Sequence, residues 1–214
     1  MRLREFMTTN VVTVSSKTTV ADAKKYMVTH KIRRLPVVDK GKLVGMVSDR
    51  RVAEASPSAA TTLSVWEINH LLDKMTVSEI MTKRVISVPQ GTTAESALAL
   101  AQEHGVGSLP VLDEEERLVG IVTTNDFVYR IMNPLLGIGK PGVRLHIYSC
   151  DTTQKIEEVV RFINKAGLQI EALHVDDSIE RETRDLIVQV NTEDANGLIS
   201  DLTNRGYSVI VRDR

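Results

Sequence analysis

Aromatic residues are scarce: three Phe, four Tyr and one Trp make up 4% of the 214 residues, too few rings for a base-stacking platform. Cysteine is nearly absent. Cys150 stands alone, so no intrachain disulfide can form, and with five scattered His it gives no zinc-type ligand spacing. An excess of one charge is also missing. The 27 basic and 28 acidic residues leave a net charge of -1, with no basic surplus to hold a nucleic-acid backbone. No apolar run reaches the ~20 residues of a membrane span. The opening residues Met1-Arg2-Leu3-Arg4-Glu5-Phe6-Met7 lack a secretory apolar core. Together these absences predict a cytoplasmic protein with no membrane or nucleic-acid partner. Catalytic signatures are missing too: there is no Walker loop, no Ser-His-Asp order and no metal-binding cluster. Asp176-Asp177 and Glu114-Glu115-Glu116 look like solvated turn charges. The chain does not read as an enzyme, and no cofactor is expected. What is present, 42% hydrophobic and 26% charged residues, suits a globular chain of one or two domains.

The first two thirds repeat themselves. Met7-Thr8 and Val11-Val12-Thr13-Val14 match Met81-Thr82 and Val85-Ile86-Ser87-Val88, 74 positions later. Thr19, His30 and Leu35-Pro36-Val37 match Thr93, His104 and Leu109-Pro110-Val111 at the same offset. Gly45 then matches Gly120 after one inserted residue in a charged turn, where insertions are tolerated. Each copy predicts a short β run (11–14, 85–88), a Thr-led helix, a strand (35–38, 109–112), a charged turn, a second strand (43–47, 118–122) and a final helix. Pro36 and Pro110 cannot donate to a sheet ladder, so they are expected at strand starts or edges. Between the copies, Pro57 and neighbouring small residues stop a helix, and Leu63, Trp66, Ile68, Leu71 and Leu72 form an apolar patch.

One stretch in each copy carries candidate chemistry. Thr123 ends a strand and Asp126 follows at Thr-x-x-Asp spacing. A hydroxyl with backbone N–H groups at a helix start suits a phosphate, and the carboxylate can accept both hydroxyls of a ribose. The competing reading is a plain helix N-cap with its capping-box partner. In the first copy the equivalent stretch is Ser48-Asp49-Arg50-Arg51. Arg51 stands where the carboxylate should be and cannot accept a hydroxyl proton; Asp49 comes two places early. This half-site is expected to be degenerate for nucleosides, or to take a more anionic ligand.

The doubled Leu-Pro-Val turns, with Gly45-Met46-Val47-Ser48 and Gly120-Ile121-Val122-Thr123, resemble the CBS domain, and the pair resembles a Bateman module. The resemblance implies an adenosine-type ligand in the cleft between the copies: AMP, ADP or ATP, with S-adenosylmethionine as a further candidate. Thr123 would meet phosphate, Asp126 ribose, Val85 and Ile86 the adenine faces, and backbone at Ser108 and Leu109, before Pro110, its edge. Lys31-Ile32-Arg33-Arg34 precedes the first Leu-Pro-Val turn, and basic residues there reach phosphates in some CBS proteins. Arg33 and Arg34 are the candidates, set against a plain solvated basic surface.

Residues 134–142 are dense in Gly and Pro and read as a linker. Beyond them the pattern predicts strand 143–149, helix 156–166, strands 168–175 and 185–190 around a charged hairpin, helix 195–204 and strand 207–211. This βαββαβ order is ferredoxin-like. With Gly167-Leu168-Gln169-Ile170 after the first helix, it is similar to an ACT domain, whose first strand–helix loop commonly holds an amino acid at a dimer interface. Here that loop, Cys150-Asp151-Thr152-Thr153-Gln154-Lys155, has Gln154 where the family usually has Gly. The expected fold class is therefore α+β: residues 1–66 as the first CBS motif with its connecting segment, 67–133 as the second, and 143–214 as the ACT-like domain. The order CBS, CBS, ACT-like, with Ser48-Asp49-Arg50 and Ala55-Ser56-Pro57-Ser58, resembles the acetoin-utilisation protein B (AcuB) family. The resemblance implies a regulatory homodimer, sensing cellular energy through a nucleotide and altering an unidentified protein partner. A constitutive dimerisation scaffold and an amino-acid sensor are the alternatives.

Overall fold

The two repeat copies start their helices in the same way. Thr19 accepts a hydrogen bond from the Asp22 N–H at 3.1 Å, and Thr93 accepts one from the Ser96 N–H at 3.2 Å. Each hydroxyl satisfies a donor that the first helical turn leaves without a partner. The computed structural model describes residues 1–56, 64, 67, 72–177 and 183–212, within two units, Met1–Phe127 and Val128–Arg214. The apolar patch between the copies, apart from buried Leu72, lies outside the described residues, as does Pro57.

In the first copy, α1 (Val20–His30) buries Val20, Ala23 and Met27. Strand β1 (Arg34–Asp39) pairs antiparallel with β2 (Lys42–Ser48). Lys40 and Gly41 link them with φ of 50° and 80°, the left-handed backbone that a two-residue hairpin requires. Ser48 then caps α2 (Asp49–Ala55). A short helix, α3 (Val77–Ile80), opens the second copy. There β3 (Val88–Pro89) runs parallel to β4 (Ser108–Leu112), which pairs antiparallel with β5 (Leu118–Thr123). Helix α4 (Ala94–Glu103) lies between β3 and β4 in sequence, and α5 (Thr124–Phe127) ends the unit. The expected leading strands are mostly absent: of residues 11–14 only Val14 bridges, to Val37, and of 85–88 only Val88 is in a strand. Valines favour a pleated, half-buried surface. Residues 11–12 and 85–86 are half-buried and line cavities instead. Pro36 and Pro110 sit inside their strands, not at the ends, each opposite a residue of one neighbouring strand, Met46 and Ile121.

The two leading segments cross over. Thr8 exchanges backbone hydrogen bonds with Ile121 of the second copy at 3.0 and 2.9 Å, and Thr82 does the same with Met46 of the first. Leu3 N–H donates to Thr92, and Val77 N–H to Thr18. Phe6 meets Phe127 edge-on, with ring centroids 5.7 Å apart. Each lead therefore completes the core of the other copy. Leu109 is buried in the second copy, as Leu35 is in the first. Leu109→Ala is expected to lower the unfolding free energy by about 2–5 kcal/mol through lost contacts and a cavity; urea unfolding monitored by circular dichroism checks this.

The second unit opens with a π-helical turn (Val128–Met132) and α6 (Asn133–Leu135). It continues as β6 (Val143–Ile147), α7 (Thr153–Lys165), β7 (Ile170–Asp177), β8 (Arg184–Val190), α8 (Asn196–Asn204) and β9 (Val209–Arg212). The antiparallel sheet has the order β7-β8-β6-β9, the ferredoxin-like arrangement that the sequence predicts. Helices α7 and α8 pack Val159, Ile163, Leu198 and Leu202 against Leu145, Ile147, Leu186 and Val188. Buried Asp185 accepts from the Ser149 N–H at 2.8 Å and pairs with His146 Nε2 at 2.9 Å, so this buried carboxylate has partners.

Candidate functional site

Strand β5 delivers Thr123 to its end, and the chain turns into α5 with Asp126 one turn on. The Thr123 N–H and hydroxyl donate to Asp126 Oδ2 at 2.8 and 2.7 Å, and the Asp126 N–H donates back to Thr123 Oγ1 at 3.4 Å. The capping-box arrangement foreseen as the competing reading is therefore present. A carboxylate has about four lone-pair positions, so capping and ligand recognition can share one side chain. Thr123 and Asp126 both line a cavity of about 770 Å³, within the roughly 300–1,000 Å³ of small-molecule sites.

The opposite wall comes from the first copy. Val11, Val12, Ile32 and Pro36 give it apolar surface, and Thr8 and Asn10 polar groups. Three cations gather there: Lys31, Arg33 and Arg34. Lys31 follows α1 in a left-handed conformation, φ 54°, which turns the chain sharply towards β1. Arg33 is 85% exposed and lies 3.9 Å from Asp49, an open pair that a ligand anion can replace. Arg34 donates to the Gly107 carbonyl at 3.4 Å. Asp126 is the one acidic residue among the described residues lining the cavity. One carboxylate, apolar walls and a cluster of cations are what a sugar, a flat apolar ring and an anionic tail would each need.

A second cavity, of about 200 Å³, is related to the first by the repeat. Met46 and Ser48 replace Ile121 and Thr123; Thr82, Arg84, Val85 and Ile86 replace Thr8, Asn10, Val11 and Val12. The sequence-based grouping needs correction here. It set Val85 and Ile86 beside Thr123 and Asp126, but they line the smaller cavity with Ser48. Ser108 lines that cavity as well, and it also stands opposite Thr123 in the β4–β5 ladder. Leu109 is 1% exposed, and neither it nor Pro110 lines either of these two cavities; a further cavity of about 360 Å³ is lined by Ser108 and Leu109 together with Thr123. Because the leads cross, Val11 and Val12 of the first copy share a cavity with Thr123 of the second, and Val85 and Ile86 of the second share one with Ser48 of the first. Val11 and Val12 are the residues facing Asp126. Their equivalence to Val85 and Ile86 was legible in the repeat; which copy closes which cavity was not. Arg33 and Arg34 do join Thr123 and Asp126. Asp49 faces Arg33, while Arg51 turns to Glu54 at 3.5 Å and lines neither cavity.

In the second unit the loop before α7 is occupied by its own side chains. Lys155 Nζ donates to the Ser149 carbonyl at 2.7 Å and to Asp151 at 2.9 Å, and Thr152 caps the helix. Gln154 lies in the first turn of α7. Cys150 is fully buried, and burial pushes its thiol pKa up, the reverse of what a nucleophile needs. Among the described residues no group of three or more His, Cys, Asp or Glu is placed to hold a metal ion, and no described helix is long and apolar enough to cross a membrane.

The CBS domain family matches residues 3–58 and 77–133. Inosine-5'-monophosphate dehydrogenase of Methanocaldococcus jannaschii is 33% identical over 148 residues, covering 68% of this chain and 27% of that enzyme. The chain thus spans about a quarter of the length of this curated relative. A putative acetoin utilization protein (AcuB) from Vibrio cholerae superposes with a TM-score of 0.53 at 30% identity, over 66% of this chain and 98% of that one. The CBS domain pair of protein MJ0100, in complex with 5'-methylthioadenosine and S-adenosyl-L-methionine, gives 0.51 at 28% identity over 62% and 96%. CBSX2 in complex with AMP gives 0.51 at 30% identity, also over 62% and 96%.

Proposed function

Because the chain belongs to the CBS domain family, we propose that it is a non-enzymatic regulatory protein that binds an adenine nucleotide in its larger cavity. The observation that carries this reading is the convergence of Asp126 and Thr123 from one copy with Lys31, Arg33 and Arg34 from the other. Asp126 accepts the ribose hydroxyls, Val11 and Val12 lie against the purine, and the cations hold the phosphates. The three cations favour AMP, ADP or ATP over S-adenosylmethionine, which brings a sulfonium cation and no phosphate. The AMP and S-adenosylmethionine complexes of similar CBS pairs support an adenosine-type ligand. Transmission runs through a homodimer, whose two arrangements the nucleotide must bind unequally, since equal affinity shifts nothing.

A melting assay with a panel of AMP, ADP, ATP and S-adenosylmethionine tests this. AMP at 100 times its Kd is expected to stabilise the folded state by about 2.7 kcal/mol. An unchanged melting point across the panel would leave the second reading, a constitutive dimerisation scaffold, which the capping bonds between Thr123 and Asp126 favour. An amino-acid panel addresses the second unit. With the loop at residues 149–155 held by Lys155, no amino acid is expected to raise the melting point.

A further inference from the structure

We infer that the smaller cavity is an anion site, taking a pyrophosphate-like group and not a nucleoside, and that it is coupled to the larger cavity through Arg34. At about 200 Å³ it falls below the roughly 300–1,000 Å³ of small-molecule sites. Among the described residues no carboxylate lines it to accept ribose hydroxyls: the position equivalent to Asp126 is Arg51, which turns to Glu54. Its charged groups are Arg34 and Arg84, with the hydroxyls of Ser48, Thr82 and Ser108 beside them. Arg84 makes no ion pair among the described residues, and a guanidinium fork matches phosphate oxygens.

Arg34 lines both cavities. Its guanidinium lies against Gly107, where an added Cβ would come within 2.9 Å of its Nη2. The glycine therefore leaves the room that lets this side chain stand between the two sites. Donors of the Arg34 guanidinium that turn to an anion in the smaller cavity are lost to a phosphate in the larger one. An anion held by Arg84 and Arg34 draws Arg34 away from the phosphate in the larger cavity, so the two ligands oppose each other, reciprocally. The coupling rests on the nucleotide reading above; the anion site does not.

Calorimetry of the full chain with inorganic pyrophosphate alone, and with AMP at fixed pyrophosphate, tests both parts. Wild type is expected to bind pyrophosphate, and Arg84→Gln to bind it about tenfold more weakly, on the scale of one lost charged contact. Pyrophosphate at about ten times its wild-type Kd should weaken AMP binding about fivefold in wild type and less than about twofold in Arg84→Gln. Arg84→Lys, which keeps the charge, should restore part of the pyrophosphate affinity, and matching melting curves show that both variants fold. Equal pyrophosphate affinity in wild type and Arg84→Gln would overturn the anion site. Arg84-dependent pyrophosphate binding with AMP affinity unmoved would overturn the coupling. Arg84-dependent binding without any AMP binding would uphold the anion site and remove the nucleotide reading.

Discussion

Asp126→Ala is expected to weaken AMP binding about 100-fold, because two ribose hydroxyls lose a charged acceptor worth about 1.5–3 kcal/mol per hydrogen bond. The same change removes the capping acceptor for the Thr123 N–H and hydroxyl. A modest fall in melting temperature should accompany it, on the order of 1 kcal/mol for a lost cap. Two controls separate these effects. Asp126→Asn keeps one acceptor oxygen and should retain most of the cap while losing about tenfold in affinity. In wild type, 2'-deoxy-AMP should bind about tenfold more weakly than AMP, since one ribose contact is missing. In Asp126→Ala that preference should vanish. A deoxy penalty that survives the mutation would mean that another group reads the sugar.

The second large effect concerns the crossover that builds both cavities. A Cβ added to Gly120 would meet Met7 Sδ at 2.5 Å and the Thr8 carbonyl at 3.1 Å. The methionine tip can move; the backbone oxygen is held by its bond from the Ile121 N–H. Gly120→Ala is therefore expected to cost about 2 kcal/mol as overpacking, seen as a melting temperature lower by about 5–8 °C. Met7→Ala combined with Gly120→Ala should recover more than 0.5 kcal/mol relative to the sum of the single changes, because the two sites touch. The repeat supplies an internal copy of the experiment: Gly45 faces Met81 and the Thr82 carbonyl in the same way, so Gly45→Ala should behave alike. Strict additivity of Met7→Ala and Gly120→Ala would argue against this contact.

Periodicity made the elements legible because each is a local pattern. The βαββαβ order of the second unit followed from Ile156, Val159 and Ile163 on one helical face and from the apolar runs around them. The limits were less exact: β7 spans Ile170–Asp177 where 168–175 was expected, and β9 spans Val209–Arg212 where 207–211 was expected. A bulge between Ile170 and Ala172 explains why alternation alone misplaced that edge. The larger cavity was half legible. Thr123 and Asp126 lie three residues apart, so their joint orientation is a property of one turn. Arg33 and Arg34 were recognisable from their place before a Leu-Pro-Val turn. Val11 and Val12 were not assigned to Asp126, because their meeting depends on Thr8 pairing with Ile121, a contact across more than a hundred residues. Two copies with the same pattern also offer each lead two partners. What separates those arrangements is packing, Met7 over Gly120 and Met81 over Gly45, and neither pair is adjacent in sequence.

A crystal structure of the full chain grown with AMP addresses the nucleotide assignment most directly. The expected result is density for AMP in the cavity of about 770 Å³, with both ribose hydroxyls on Asp126, the purine against Val11 and Val12, and the phosphate among Lys31, Arg33 and Arg34. AMP bound elsewhere, or ribose placed away from Asp126, would contradict it.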